Sequence, residues 1–197
     1  MRKDDYKKGT KIVVNNKMQK DYSYVLEKNI GEIDDPDFNP FFTPEQMLYY
    51  GVFEGKYLND CRDEFPVEWY ENAEKVGSLS TDGKAHIECN FFNIKSRLSL
   101  GEWRKNGWIP QTPNDPDNRG WFQWYCRYYI GRRIPDLDKI QIKRYRAFNR
   151  HFAQVQKNCA HSKDDNHTHD KGSTCNVLKC RPKQRQALLQ WGYNAFI

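Results

Sequence analysis

Residues 119–133 read Arg-Gly-Trp-Phe-Gln-Trp-Tyr-Cys-Arg-Tyr-Tyr-Ile-Gly-Arg-Arg, and this aromatic stretch decides the fold. Rings and apolar side chains from Trp121 to Ile130 would cover every face of a helix, which is typical of a helix buried on all sides. The β-propensity of tryptophan, tyrosine and phenylalanine leaves a strand as the alternative. The pattern favours the helix, and it predicts that Trp124 and Tyr128 are buried at the centre of the fold.

The next segment predicts a long amphipathic helix over residues 136–158. Apolar side chains recur there at spacings of three to five residues, as they do along one helical face: Leu137, Ile140, Tyr145, Phe148, Phe152 and Val155. Basic side chains follow the other face at intervals of four, three, four and seven residues: Lys139, Lys143, Arg146, Arg150 and Lys157. Because the apolar face should turn inward, we expect these charges to project together as a basic ridge.

Shorter helices are predicted elsewhere from local start signals. A threonine cap, a proline in the first turn and a serine with a glutamate three residues later are typical helix beginnings. Such signals occur at four places: Thr43-Pro44-Glu45, Pro66, the Ser99 and Glu102 pair, and Pro182. Together with the two segments above, they indicate a mainly helical chain.

The composition agrees with one domain whose core is built from rings. Of the 197 residues, 38% are hydrophobic, below the usual range of about 45–50%. The chain has 11 Phe, 6 Trp and 12 Tyr residues, and each buried ring removes about 150–250 Å² from water. The expected fold class is mainly α: a single multi-helical domain over residues 41–197 with an aromatic-rich core, a Cys/His-rich loop at 159–180 and an extended N-terminal arm over residues 1–40, with a short hairpin.

Positive charge is concentrated in the second half of the chain. Residues 1–100 contain 14 Lys and Arg against 18 Asp and Glu, whereas residues 101–197 contain 18 against 8. A basic surface favours polyanions, because each phosphate that it neutralises releases a counterion. We therefore interpret the second half as a nucleic-acid-binding surface for DNA or RNA. The candidate contacts are Arg127, Arg132, Arg133, Lys139, Lys143, Arg146, Arg150, Lys157, Arg181, Lys183 and Arg185.

Three other interpretations of this charge stay open. A basic face can be solvated without binding any ligand. It can also dock on an acidic protein surface, in which case the protein is a structural or assembly component. A third hypothesis is a metal-dependent enzyme acting on nucleic acid, in which neighbouring carboxylates hold a divalent cation. The candidate carboxylates are Asp60, Asp63 and Glu64, or Asp115 and Asp117.

A zinc site near the C-terminus is a further hypothesis. Cys159, Cys180, Cys175 and His161 supply four thiolate or imidazole ligands, the number that zinc requires. Cys175 and Cys180 leave four intervening residues, however, no second closely spaced pair of cysteines accompanies them, and a solvated polar loop explains the histidines equally well. Without a signal segment, we expect reduced thiols or metal ligation rather than disulfides.

The other cysteines offer two interpretations. Cys61 and Cys126 could meet Cys159 and Cys180 in space and form a different ligand set. Buried and unreactive thiols are the simpler interpretation of Cys61, Cys89 and Cys126.

Recognised catalytic motifs are missing from the sequence. It contains no nucleophile elbow and no glycine-rich phosphate loop, so whether the protein is an enzyme stays open. No apolar run approaches the length of about 18 residues that spans a bilayer, and no hydrophobic signal segment follows Met1. We therefore expect an intracellular protein of the cytoplasm or nucleus, without a membrane partner.

Four strings resemble an uncharacterised family of small proteins. They are Gly-Val-Phe-Glu-Gly-Lys-Tyr from residue 51, Asp-Cys-Arg-Asp-Glu-Phe-Pro from residue 60, Gly-Trp-Phe-Gln-Trp-Tyr-Cys-Arg-Tyr-Tyr-Ile-Gly-Arg-Arg from residue 120 and Cys-Arg-Pro-Lys-Gln-Arg-Gln-Ala-Leu-Leu-Gln-Trp from residue 180. The resemblance covers about residues 43–194. It implies an intracellular helical protein and carries over no catalytic residue.

Overall fold

Two β-strands and seven α-helices form the regular structure of the described residues, which in this computed structural model are 1–109, 115–159 and 176–197. The strands β1 (Lys11–Val14) and β2 (Tyr22–Val25) form an antiparallel hairpin. The helices are α1 (Pro44–Tyr50), α2 (Val67–Lys75), α3 (Leu100–Lys105), α4 (Trp121–Tyr129), α5 (Pro135–Ala147), α6 (Asn149–Cys159) and α7 (Pro182–Gln190). Within the described ranges, none of the helices has the length and apolar character needed to traverse a bilayer.

Helix α4 lies in the centre of the core, so the buried helix predicted for this stretch is confirmed. Trp124, Tyr125 and Tyr128 are all buried. The ring of Phe38 makes edge-on contacts with these three rings and with Tyr145, at centroid distances of 5.0–5.5 Å. Aromatic quadrupoles favour such edge-to-face packing. Because these rings face one another inside the core, they are not available to stack on nucleic-acid bases.

Residues 1–40 pack into this core and do not extend away from it as an arm. The predicted hairpin is present, and Ile12 pairs with Tyr24 while Val14 pairs with Tyr22. Ile12 and Val14 are fully buried, because alternate residues of a strand point to one face. The segment is therefore part of the common hydrophobic core.

A glycine fixes the N-terminal segment to the end of α4. The backbone N–H groups of Glu27 and Lys28 both donate to the carbonyl of Gly131, at 2.8 and 3.1 Å. Gly131 has a φ of +112°, and a Cβ atom at this position would lie 2.0 Å from the Lys28 carbonyl oxygen. Only glycine allows both the dihedral and this close approach.

The helix starts agree with the local signals in the sequence. Thr43 Oγ1 accepts from Gln46 N at 3.2 Å, and Thr43 N donates to Gln46 Oε1 at 2.9 Å, which completes a capping box. Ser99 and Glu102 form the same reciprocal pair at the start of α3. In each box, two backbone N–H groups at the helix start donate to side-chain oxygens, which supply the acceptors that the helix itself does not provide. All four predicted helix starts are confirmed to within one residue.

The single helix predicted over 136–158 is instead divided at Phe148. Phe148 N donates to the carbonyl of Tyr145, three residues back, at 2.9 Å, which tightens the turn relative to an α-helix. The Phe148 ring stacks on Trp191 at a centroid distance of 4.9 Å. Because α5 packs against α4 and α6 packs against α7, the break lets the two segments follow different neighbours.

The inward face of α5 also differs from the prediction. Ile140 is 57% exposed, whereas Ile142 is buried. The rotation of the helix is fixed by the Asp138 carboxylate, which accepts from Trp124 Nε1 at 2.7 Å and from Ile134 N at 2.8 Å. A polar contact to α4 therefore determines which apolar residues of α5 face the core.

Candidate nucleic-acid interface

Five basic side chains of α5 and α6 project into solvent, as the sequence predicts for the ridge. They are Lys139, Lys143, Arg146, Arg150 and Lys157. Their exposure follows from the burial of the opposite helix faces, which carry Ile142 and Tyr145 on α5 and Val155 on α6.

The first turn of α7 extends this surface. Arg181 and Lys183 are exposed. Gln184 Nε2 donates to Gln154 Oε1 at 2.8 Å and holds the start of α7 against α6. We call the five ridge residues together with Arg181 and Lys183 the basic surface.

An acidic segment lies beside the α5 end of the basic surface. Asp35 and Asp37 line a cavity of about 570 Å³ together with Lys139, Lys143 and Arg146. Arg146 Nη1 lies 2.7 Å from Asp37 Oδ2, and both side chains are mostly exposed. Exposed pairs of this kind contribute only about 0–1 kcal/mol. The acidic segment therefore lowers the local charge without covering the surface.

Three of the predicted phosphate contacts are wrong, because Arg127, Arg132 and Arg185 are buried inside the fold. A guanidinium in the core cannot reach a polyanion while the protein is folded. Arg185 instead donates at 2.6–3.1 Å to three backbone carbonyls, those of Cys159, Cys180 and Ala195. It therefore joins α7 to α6 and to the C-terminal segment.

Arg133 is mostly buried and is engaged within the protein. Its Nη2 lies 2.9 Å from Asp34 Oδ1, and its guanidinium stands 3.8 Å from the centroid of the Tyr128 ring. The ion pair and the cation–π contact fix the loop that carries Asp34 against the end of α4. Arg133 is therefore not part of the basic surface.

The buried arginines belong to a network with two carboxylates, Glu64 and Asp117, which we call the buried ion network. Arg127 binds Glu64 through two bonds, Nε to Oε1 at 2.6 Å and Nη2 to Oε2 at 3.1 Å. Arg132 binds Asp117 in the same way, at 2.8 and 2.6 Å, and Arg127 Nη1 lies 3.1 Å from Asp117 Oδ1. Two guanidinium groups thus balance two carboxylates. Paired geometry of this kind offsets the cost of removing four charges from water.

Three of the five carboxylates considered as cation ligands are held in ion pairs. Glu64 and Asp117 lie in the buried ion network, and Asp60 accepts two hydrogen bonds from Arg119, at 2.8 and 2.7 Å. Over residues 1–109, 115–159 and 176–197, no group of three or more His, Cys, Asp and Glu side chains is placed to hold a metal ion.

Several buried tyrosines lead us to expect that the protein loses stability at alkaline pH. Burial raises the pKa of Tyr24 well above its usual value, and the Glu64 carboxylate, which accepts the Tyr24 hydroxyl at 2.9 Å, raises it further. Burial likewise raises the pKa of Tyr70 and Tyr125. The pKa of these tyrosines is higher in the folded protein than the unfolded value of about 10, so folding favours their protonated form. Their contribution to the free energy of unfolding is therefore fully present below about pH 10 and is lost as the pH rises further.

We therefore expect the main increase in phenolate absorbance to coincide with the loss of far-ultraviolet circular dichroism above about pH 10. A pH titration that records both signals on one sample tests this. Phenolate that forms to completion while the helical signal is intact would contradict it.

Cys159, the last residue of α6, forms a disulfide with Cys180, which lies two residues before the start of α7. The Cα–Cα distance is 5.8 Å. The expectation that these thiols are reduced or bind zinc is therefore wrong, since a disulfide leaves no thiolate for a metal. The sequence could not distinguish a disulfide from a zinc site, because both require the two sulfur atoms to lie close together. The other proposed ligands, Cys175 and His161, lie outside the described residues.

Cys61, Cys89 and Cys126 are buried, as expected for unreactive thiols. Burial raises the pKa of Cys61 to about 12 and raises that of Cys126 as well. The thiolate is the form that reacts and binds metal, so neither thiol is activated at neutral pH. In the described residues, Cys61 and Cys126 do not meet Cys159 and Cys180 in a metal-binding group.

Sequence periodicity does not reveal a second group of basic residues, because its members lie far apart in the sequence. They are Lys17, Lys56, Arg62, Arg97 and Arg119, and they line one cavity of about 680 Å³. The only two lining residues in the string from residue 60 are Asp60 and Arg62, which are the sole local sign of this group. Their convergence depends on the packing of the hairpin against the segments that flank α2 and α3.

No known protein family, curated protein or solved structure matches this chain. The chain is a mainly helical domain with an aromatic core, a buried ion network and an exposed basic surface. The resemblance carried by the four sequence strings stays a prediction.

Proposed function

We propose that this protein binds nucleic acid by contacting phosphate backbones through the basic surface. The observation that carries the proposal is the exposure of seven cationic side chains on three adjoining helices, α5, α6 and α7. A duplex presents one negative charge for about every 1.7 Å of its axis, so a row of cations along consecutive helices can neutralise several phosphates at once.

The chemistry of the surface favours backbone contacts over base recognition. Lysine and arginine bound to phosphates position a protein on a duplex without reading its sequence. The rings of α4 that could have stacked on unpaired bases are buried. We therefore expect similar affinity for duplexes of different sequence, with a steep dependence on salt.

A second candidate, an assembly protein that docks on an acidic partner, is favoured by one contact. Arg146 Nη1 already donates to a carboxylate, that of Asp37, at 2.7 Å. An acidic protein segment could use the same chemistry along the rest of the basic surface. The two candidates differ in whether nucleic acid binds to the isolated protein.

The test is the salt dependence of binding to DNA and RNA duplexes. Replacing Lys143, Arg150 and Lys157 together with alanine should weaken binding to all sequences alike and reduce the slope of log affinity against log salt by about two to three. Alanine favours the helical conformation, so α5 and α6 should be retained. Fluorescence anisotropy at several salt concentrations provides the measurement.

The matched control replaces Lys7, Lys8 and Lys11 with alanine, which removes the same charge from exposed positions near the hairpin. We expect this variant to keep the parent slope. If both triple variants lose affinity equally, or if the first binds both duplexes as tightly as the parent, then nucleic-acid binding by the basic surface is refuted. Binding to an acidic polypeptide without binding to either duplex would establish the second candidate.

A further inference from the structure

A second cavity, separate from the basic surface, lies among the hairpin, the segment before α2 and the start of α3. Its volume is about 680 Å³, within the range of about 300–1,000 Å³ typical of sites for small molecules. Lys17 and Met18 contribute from the loop of the hairpin, Tyr57 from the segment before α2, and Arg97 and Leu100 from the region of α3. It shares no residue with the basic surface.

The lining of this cavity is strongly cationic. Five of its side chains are basic and two are acidic. The two acidic ones, Asp60 and Glu74, are paired with Arg119 and Arg62, at 2.7 and 2.5 Å. The paired carboxylates hold the two guanidinium groups in place along the wall. Excess positive charge then remains for an anionic ligand.

The lysines of the cavity supply that excess charge. Lys17 and Lys56 are exposed, and neither ammonium group has an ion-pair partner in the part of the chain that the structure describes. Arg97 pairs with Glu54 at 2.5 Å, so its position is fixed by a buried carboxylate behind the cavity wall. Lysine and arginine together suit a phosphate, because lysine supplies a compact charge and arginine supplies paired hydrogen-bond donors.

Buried donors without acceptors point to the same kind of ligand. Arg97 Nε, Arg119 Nε and the Tyr57 hydroxyl are buried and have no hydrogen-bond partner among the described residues. All three belong to residues that line the cavity. The Arg119 side chain is only 8% exposed. Unsatisfied buried donors are unfavourable, and a small shift of these side chains toward the cavity would let a ligand with several acceptor oxygens compensate for them.

We propose that this cavity binds a small phosphate monoester. The phosphate group would lie near Lys17, Lys56 and Arg119, where its charge and three acceptor oxygens meet the cationic lining. Tyr57, Met18 and Leu100 provide apolar surface for an organic group attached to the phosphate. Inorganic phosphate would occupy the polar part alone and bind more weakly.

The probes for the test are phenyl phosphate, inorganic phosphate and benzoate, each titrated by calorimetry into the full chain. We expect saturable binding of phenyl phosphate, weaker binding of inorganic phosphate and little binding of benzoate. Replacing Lys17 and Lys56 together with alanine should weaken phenyl phosphate binding by about tenfold or more. Both lysines are exposed and lack ion-pair partners, so this variant should fold normally.

Two controls locate the binding. The Lys7→Ala and Lys8→Ala double variant removes the same charge outside the cavity and should keep the parent affinity. Amide chemical shifts in the parent should change around residues 17–18, 56–62 and 97–100, and not in α5 or α6. The proposal is overturned if phenyl phosphate does not saturate, if benzoate binds equally well, if the two double variants behave alike, or if the shifts lie in α5 and α6. None of the substituted residues belongs to the basic surface, so the two proposals fail independently.

Discussion

Trp124→Ala is expected to lower the free energy of unfolding by about 3–5 kcal/mol, the range measured for large buried aromatic residues. The ring packs against Phe38, Trp121 and Tyr128, with centroid distances of 5.2, 6.1 and 5.1 Å. Its removal also deprives the Asp138 carboxylate of the indole donor at 2.7 Å. Because a domain has only about 5–15 kcal/mol of net stability, the variant should be poorly folded.

Two further variants make this result interpretable. Trp124→Phe keeps a ring but lacks the indole N–H. Its free energy of unfolding should therefore fall between that of the parent and that of Trp124→Ala. Trp108 is 48% exposed, and Trp108→Ala should change stability by no more than about 0.5 kcal/mol. Urea denaturation followed by circular dichroism measures all three. Similar losses for the variants at positions 124 and 108 would contradict the central placement of α4.

Arg127→Met is expected to cost about 3–5 kcal/mol, because it leaves the Glu64 carboxylate buried without its cation. The Tyr24 hydroxyl, 2.9 Å from Glu64, would be the remaining donor to that carboxylate. Chemical denaturation of parent and variant measures this loss.

The double variant Arg127→Met/Glu64→Gln provides the sharper test. It removes one cation and one anion and leaves the Asp117 and Arg132 pair intact, so most of the lost stability should return. Arg62→Met serves as the control, because its pair with Glu74 is largely exposed and should contribute at most about 1 kcal/mol. A double variant as unstable as Arg127→Met would show that the loss comes from packing and not from the unpaired charge.

The parts of the fold that depend on local chemistry could be predicted from the sequence. Thr43 and Ser99 cap helices because their side chains and the partners of those side chains lie within three residues. The burial of Trp124 follows from the density of rings around it, which leaves no polar face for solvent. The exposure of Lys143 and Arg150 follows from helical periodicity alone.

The parts that depend on distant partners could not be predicted. Arg127 and Lys143 are both cationic in the sequence, but Arg127 meets Glu64, 63 residues earlier, and Asp117 inside the core. Likewise, the orientation of Ile140 is fixed by the hydrogen bond between Asp138 and Trp124, which joins two helices. A count of charges includes arginines that are buried in the core, so it predicts more phosphate contacts than the structure exposes.

The attachment of the hairpin to α4 has a consequence for synthesis of the chain. Gln19 Oε1 accepts from Arg127 Nη2 at 2.9 Å, across 108 residues of sequence. At about 5–20 residues per second, the ribosome completes Arg127 about 5–20 s after Gln19. A lone two-stranded hairpin is marginally stable in water, so β1 and β2 would remain largely unfolded during that interval. Contacts of such long range also slow folding, and we expect this helical chain to fold on a time scale closer to that of β-proteins, milliseconds to seconds.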